Sequence, residues 1–342
     1  MLVRGSNYET QKRFGSMKSY VSVCALALVV GACSGSSPFT VVDAGTGTPA
    51  TPTTPAATGI PADVQGSLAS FSYNAAAQTL TISGISFDEE DITAPYRRRT
   101  ALDITAQDGS VAYEAYTAQD DPLDEHTTAY IKSISDVTAA VAVTGGQFSY
   151  YDGGTLFTRT GTYDPVAVSE SGDTGLVSYA GSYIGLSNVN GVNTDLTPTA
   201  GTPPTEILPS QASTVNGSIF INVDFAQNRI KGLIYRRTLT VPDPITGAAV
   251  IENVPNLILV PTDVADDGTF TSTVQITGLT DVGNYAGILG GPNSEAIAGG
   301  LFVDNHFEDQ REGEEEYGIF VLGQCGTAAN NDPAVCASGA AE

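Results

Sequence analysis

The chain has 342 residues with 14 lysines and arginines against 38 aspartates and glutamates, a formal charge of −24. That balance excludes a nucleic-acid coat, because neutralising phosphates takes clustered Lys or Arg, and two histidines with four unpaired-motif cysteines exclude a zinc finger or a haem cytochrome. Abundant Gly, Thr, Ser, Ala and Asp with few Lys, Leu and Met suit strands and turns, so an all-β protein is expected, with room for two domains.

A basic start at Lys18, just after a second methionine at Met17, runs into the apolar stretch 21–30 and then Gly31, Ala32 and Cys33. Residues 1–32 therefore read as a secretory signal whose start is Met17; the apolar run is too short for a permanent membrane span, which takes about 20 residues. The ending Val30-Gly31-Ala32-Cys33 resembles the bacterial lipobox, which implies cleavage before Cys33 and a diacylglycerol on its thiol. Cleavage removes four basic residues and one acid, taking the charge from −24 to −27. Residues 33–61 form a Thr/Pro/Ser-rich tether whose pairs Thr48-Pro49, Thr51-Pro52 and Thr54-Pro55 favour extended chain.

Residues 62–168 read as a β domain with candidate strands at 68–73, 79–83, 111–117, 128–133, 147–151 and 156–160. Asp152-Gly153-Gly154 is the hairpin signal between the last two. Acidic stretches occupy 88–91 and 120–125, the second with His126 at its edge. Carboxylates beside an imidazole could hold a metal, but solvated loops suffice on so acidic a protein, and no metal site is assigned. Tyr96, Arg97, Arg98 and Arg99 are candidate partner contacts, since Tyr and Arg are enriched at interface hot spots. The competing reading is internal, the arginines neutralising Asp88, Glu89, Glu90 and Asp91 across a hairpin.

Residues 169–324 carry the clearest pattern. Ile219, Ile221, Val223 and Phe225 alternate with Ser218, Phe220, Asn222 and Asp224, and a second strand carries Ile230, Gly232 and Ile234 on one face. With segments 176–185, 257–260, 269–276, 285–289, 300–303 and 317–322 the count reaches eight, which suits a closed antiparallel up-and-down barrel. The connection 188–213 is expected to be a surface loop. Asp263, Asp266, Asp267 and Gly268 lack calcium-loop spacing and read as a hairpin turn, and the charge run Glu308, Asp309, Glu312, Glu314, Glu315, Glu316 reads as a solvated loop. Glu295 in a Gly-rich turn invites a general-base reading; a carboxylate bonding backbone N–H groups at a bend is the plainer one. No catalytic residue or cofactor is assigned, and G-x-S-x-G, H-E-x-x-H and phosphate-loop motifs are absent.

Three pieces in order carry a family resemblance: Asn222-Val223-Asp224-Phe225-Ala226 leading to Gly232-Leu233-Ile234, then 285–300 with Gly290, Gly291, Pro292, Glu295, Gly299 and Gly300, then Glu316-Tyr317-Gly318-Ile319-Phe320. They resemble the barrel half of a transferrin-binding protein B lobe, with Ser294 and Ala296 departing from that family's turn. The resemblance implies a single lobe, a handle domain over 62–168 followed by the eight-stranded barrel, on a Gram-negative surface lipoprotein in the outer membrane. It also implies export by an outer-membrane surface-lipoprotein assembly modulator and capture of a partner protein or an iron carrier. No nucleic acid is expected. Once Cys24 leaves with the signal and Cys33 is acylated, Cys325 and Cys336 remain to form a disulfide closing the tail 325–342. The alternatives are a lipocalin-like carrier using the barrel lumen, which a lumen filled by Phe225, Phe270, Phe302 and Phe320 would oppose, and a carboxylate-dependent enzyme.

Overall fold

The computed structural model describes residues 59–339 apart from 88–89, 148–149, 169–174, 308–310, 312 and 331. Met17, Cys33 and the tether lie outside the described residues, as do Asp88, Glu89, the side chains of Glu90 and Asp91, and Glu308, Asp309 and Glu312. The protein is all-β.

After a short helix α1 (Ala62–Gln65) come β1 (Ser70–Asn74), β2 (Thr79–Phe87), β3 (Glu90–Arg98), β4 (Ile104–Thr105), β5 (Val111–Ala118), β6 (Thr127–Ile134), β7 (Val137–Thr144) and β8 (Gly153–Arg159). They form one antiparallel sheet, β1-β2-β3-β5-β6-β7-β8 with β4 beside β5, that curls nearly into a barrel. The second sheet contains β9 (Leu176–Asn190), β10 (Ala212–Asp224), β11 (Arg229–Pro242), β12 (Ala249–Asn253), β13 (Leu257–Asp263), β14 (Thr269–Ile276), β15 (Thr280–Gly290), β16 (Ala296–Asp304) and β17 (Glu315–Gln324). Eight of these follow one another around a closed antiparallel barrel in chain order, and β17 returns to pair with β9. The ninth, β12, hangs on the outside of β11 as an edge strand.

Alternation decides which side chains enter the barrel. Tyr179 and Tyr183 of β9, Ile219, Ile221 and Val223 of β10, Phe270 of β14, Tyr285 of β15 and Phe320 of β17 pack one interior core. Eight strands leave a lumen just wide enough for such side chains, and each fully buried one contributes roughly 1.5–3 kcal/mol. Phe225, Phe270 and Phe320 lie in this core. Phe302 does not; it sits on the other face, its ring 4.8 Å from that of Tyr317.

The outward residues of β9 and β15–β17 form a second core with the first sheet, built from Ile184, Leu186, Ala286, Ala298, Ile319 and Val321 against Tyr113, Ala139, Val141 and Val143. Small side chains bring the layers close. A Cβ on Gly300 would overlap the side chain of Thr155 of β8, so this position of the Gly-rich segment is fixed by the approach of the two sheets. A third core lies inside the curl of the first sheet, around Leu68, Phe71, Leu80, Ile82, Tyr116 and Leu156.

Two expectations for the first sheet change. Among the described residues of 147–151 there is only an isolated bridge between Gln147 and Tyr150, and β7, which the alternation did not reveal, is the partner of β8. Strand β7 has Ala139, Val141 and Val143 in one core and Ala140 and Ala142 in another, so both faces are buried and the polar half of the alternation vanishes. Gly153 and Gly154 are strand residues opposite Val143 and Ala142 rather than a turn; a Cβ on Gly154 would strike the backbone of Gln65 in α1. At the C-terminus, Cys325 and Cys336 form a disulfide that holds helix α2 (Pro333–Gly339) on the barrel, with Val335 buried against Ala180 and Tyr235.

Candidate functional site

The described chain enters the fold at Gly59, beside Thr262, Asp263, Ala265 and Thr269. That end of the barrel carries the tight turns 225–228 and 264–268, where Asp224 Oδ1 accepts from the N–H groups of Ala226 and Gln227, and Asp267 Oδ1 from that of Thr269. The acids at 263–268 thus make a hairpin turn, and Asp224 closes another. The opposite end, the far rim, carries the long connection 191–211, the shorter 243–248 and 277–279, and the described residues between β16 and β17. Loop 119–126 and Gln147 of the first sheet join it: Gln147 Nε2 donates to Leu123 O (2.7 Å) and Ile207 O (2.9 Å), and Thr197 N donates to Gln119 Oε1 (2.8 Å).

The 291–295 turn couples the sheets. Gly291 N donates to Asp136 Oδ1 (2.6 Å), Asn293 N to Asp164 Oδ2 (2.9 Å) and Ser135 Oγ to Glu295 Oε1 (2.8 Å). Glu295 therefore holds the β6–β7 turn, together with the segment that includes Gly290, Gly291, Pro292, Gly299 and Gly300.

Two histidine–carboxylate–arginine clusters flank the far rim. In the first, His126 Nε2 lies 3.1 Å from Asp195 Oδ2, and Arg99, at the end of β3, pairs with the same carboxylate. Burial pushes the His126 pKa down to about 4, with the charge of Arg99 adding to the effect, so the imidazole is neutral and donates from Nε2. His126 thus faces loop 191–211 through Asp195, and among the described residues no group of three or more His, Cys, Asp or Glu side chains could hold a metal ion.

The second cluster lies inside the barrel. Glu316 Oε2 accepts from Arg237 Nη2 (2.6 Å) and from His306 Nε2 (3.0 Å), and Oε1 from the Tyr183 hydroxyl (2.5 Å). The Arg237, His306 and Glu316 side chains are completely buried. Burial works to raise the Glu316 pKa, but the Arg237 charge and the hydrogen bonds from His306 and Tyr183 outweigh it and hold the carboxyl at about 2. The solvated-loop reading of this acidic run is corrected here: Glu314 and Glu316 are buried. The overlooked signal was parity, since Glu316 is in step with Gly318, Phe320 and Leu322, whose face is inward.

The candidate contacts 96–99 divide. Tyr96 is buried in the core of the first sheet. Arg98 grips both oxygens of Asp103 (2.5 and 2.7 Å), donates to Ala115 O and lies over the Tyr116 ring. Arg99 is engaged by Asp195, and Arg97 is exposed. Their described acidic partners are Asp103, Glu114 and Asp195. Apolar side chains are bare elsewhere on the far rim: Ile245 is 92% exposed, Leu279 73% and Ile251, on β12, 69%. At the same end a groove of about 370 Å³ is lined by Gly146, Gln147, Tyr150 and Tyr151 of the first sheet and by Asn188, Asn190, Leu208 and Ser210 at the ends of β9 and β10.

No family model matches the chain. A search of curated proteins finds no match. Among solved structures it is similar to transferrin binding protein B of Haemophilus parasuis, at 11% identity and a TM-score of 0.34, over 75% of this chain and 54% of that one. It is likewise similar to intact Ap-TbpB with its N and C lobes, at 10% identity and a TM-score of 0.33 over 72% and 52% of the two chains. The isotype 1 transferrin binding protein B of serogroup B Neisseria meningitidis gives 13% identity and a TM-score of 0.31 over 75% and 51%. The chain spans about half the length of these structures.

Proposed function

We propose that this is a lipid-anchored binding protein of the transferrin-binding protein B type, held at the surface of a Gram-negative outer membrane through Cys33 and capturing a partner protein or an iron-related nutrient at its far rim. The observation that carries this reading is the placement of bare Ile245, Leu279 and Ile251 on the end of the barrel opposite the entry of the tethered chain. Exposed apolar side chains on one end of a fold mark candidate interaction surfaces, and a tether on the other end turns that surface away from the membrane. The lumen is an unfavourable alternative, because aromatic side chains pack it. A net charge of −24 in the full chain favours a basic partner surface.

The test has two arms. Metabolic palmitate labelling should be lost, and the protein should leave the membrane fraction, in Cys33→Ser; labelling that persists removes the anchor. The anchored protein, presented to iron proteins, haem and ferric chelates, should capture one of them, and Ile245→Asp with Leu279→Asp should abolish capture at an unchanged melting temperature. Capture indifferent to both substitutions rejects the far rim.

A further inference from the structure

The groove of about 370 Å³ on the far rim has the size of a small-molecule site, for which about 300–1,000 Å³ is usual. Its chemistry is not the usual apolar one. Gln147, Asn188, Asn190 and Ser210 line it with the rings of Tyr150 and Tyr151, and no charged side chain does among the described residues. An apolar ligand would cover these amides without hydrogen bonds, at a cost in desolvation. An anion would meet no cation there, on a protein already carrying −24. The lining matches a neutral ligand that donates and accepts at each polar position and offers a C–H face to an aromatic ring, since each amide side chain presents both a carbonyl acceptor and an NH₂ donor.

Much of the wall is fixed in advance. Gln147 is buried and held through Nε2 by Leu123 O and Ile207 O, while its Oε1 has no protein partner among the described residues. Asn188 is locked between Gly313 O (2.9 Å) and Glu315 N (3.0 Å). The Tyr151 hydroxyl donates to Leu186 O, and its ring stacks on Tyr317 with 27° between planes. Against this wall stand the 43%-exposed Tyr150 and the exposed amide of Asn190, which makes no hydrogen bond to the described protein. A rigid wall with free polar atoms lowers the ordering cost of binding.

We propose that this groove binds a neutral saccharide, with Tyr150 packing on the sugar's C–H face and Gln147 and Asn190 reading its hydroxyls. The inference rests on the far rim being the capture surface, and it names the class of group recognised there. The sugar is either free or displayed on a partner glycoprotein.

Saturation-transfer NMR on the full chain in detergent, with maltose, cellobiose, lactose and chitobiose as probes and glucose 6-phosphate as the anionic control, tests it. At least one neutral disaccharide should bind with a Kd on the order of 1 mM or tighter, and Tyr150→Ala and Asn190→Ala should each weaken it at least about tenfold. The melting temperature should not move. No binding by any of the four, equal binding of glucose 6-phosphate, or indifference to both substitutions overturns the site. Immobilised ovalbumin and its enzymatically deglycosylated form separate the sources: capture of the first alone assigns a displayed glycan, and capture of neither, with a disaccharide binding, assigns a free sugar. Partner capture that depends on Ile245 and Leu279 while every disaccharide fails would overturn this site and leave the rim reading standing.

Discussion

The two histidine–carboxylate–arginine clusters use the same three side-chain types for opposite ends. In the barrel, Arg237, Glu316 and His306 are sealed from water and tie β11, β17 and the segment just after β16 together, on strands that backbone hydrogen bonds already hold. At the rim, His126 and Asp195 are buried but Arg99 is 35% exposed, and the cluster pins loop 191–211 to the first sheet. Burial and partnering pull in different directions in the two places. The charged form of Glu316 wins because two donors and a cation face it, whereas the charged form of His126 loses because burial strips its hydration and the Arg99 charge opposes it. One cluster is therefore a fixed charge pair in the core, and the other is a neutral histidine waiting on the proton concentration.

The largest effect should come from breaking the sealed pair. Arg237→Ala leaves Glu316 buried without its cation, so unfolding in urea should show a loss of about 3–5 kcal/mol, and the double variant Arg237→Met with Glu316→Met should recover most of it. A double variant as unstable as the single one would mean that the pair itself, rather than the stranded charge, sets the cost.

Acid should separate the clusters. The folded protein keeps His126 neutral down to about pH 4, while the unfolded chain takes up that proton near 6.5, so the unfolded state binds more protons in this window and stability falls as pH falls. The loss is on the order of 3 kcal/mol by pH 4, and it should vanish in His126→Asn. Glu316 contributes stability that is fully present above 4.5 and is lost only as pH drops toward about 2. Hydrogen exchange at pH 5 should therefore show loop 191–211 opening while β11 and β17 stay protected; simultaneous loss in both would erase the distinction.

The arginines of β3 give the smaller effects. Arg98→Ala removes charged hydrogen bonds to Asp103 and should cost about 1.5–3 kcal/mol. Arg97→Ala, at an exposed position, should stay within about 0.5 kcal/mol of wild type in the same melts.

How legible these features were in the sequence depended on whether one face of a strand met water. The barrel strands β10 and β14 alternate openly, and their inward residues Ile219, Ile221, Phe270 and Val274 could be named from period alone. Strand β7 could not, because two cores claim both its faces. The clusters were hidden by distance: Arg99 and Asp195, or Arg237 and Glu316, are joined only by the pairing of strands and loops, and local composition read the acids as solvent-facing. The Gly-rich segment 290–300 was visible as a motif, yet its task of letting β16 approach β8 needed the other sheet in view.

The pairing of β9 with β17 has a kinetic consequence. The ring is closed by its first strand meeting its last, with residues 191–314 made in between. Synthesis from the N-terminus leaves both growing edges unpaired until Glu315–Gln324 is available, and contacts of such long sequence separation form slowly. A chain ending at residue 314 should hold no closed ring and should associate through its bare edges, so the last ten-residue strand acts as the completion signal for the whole barrel.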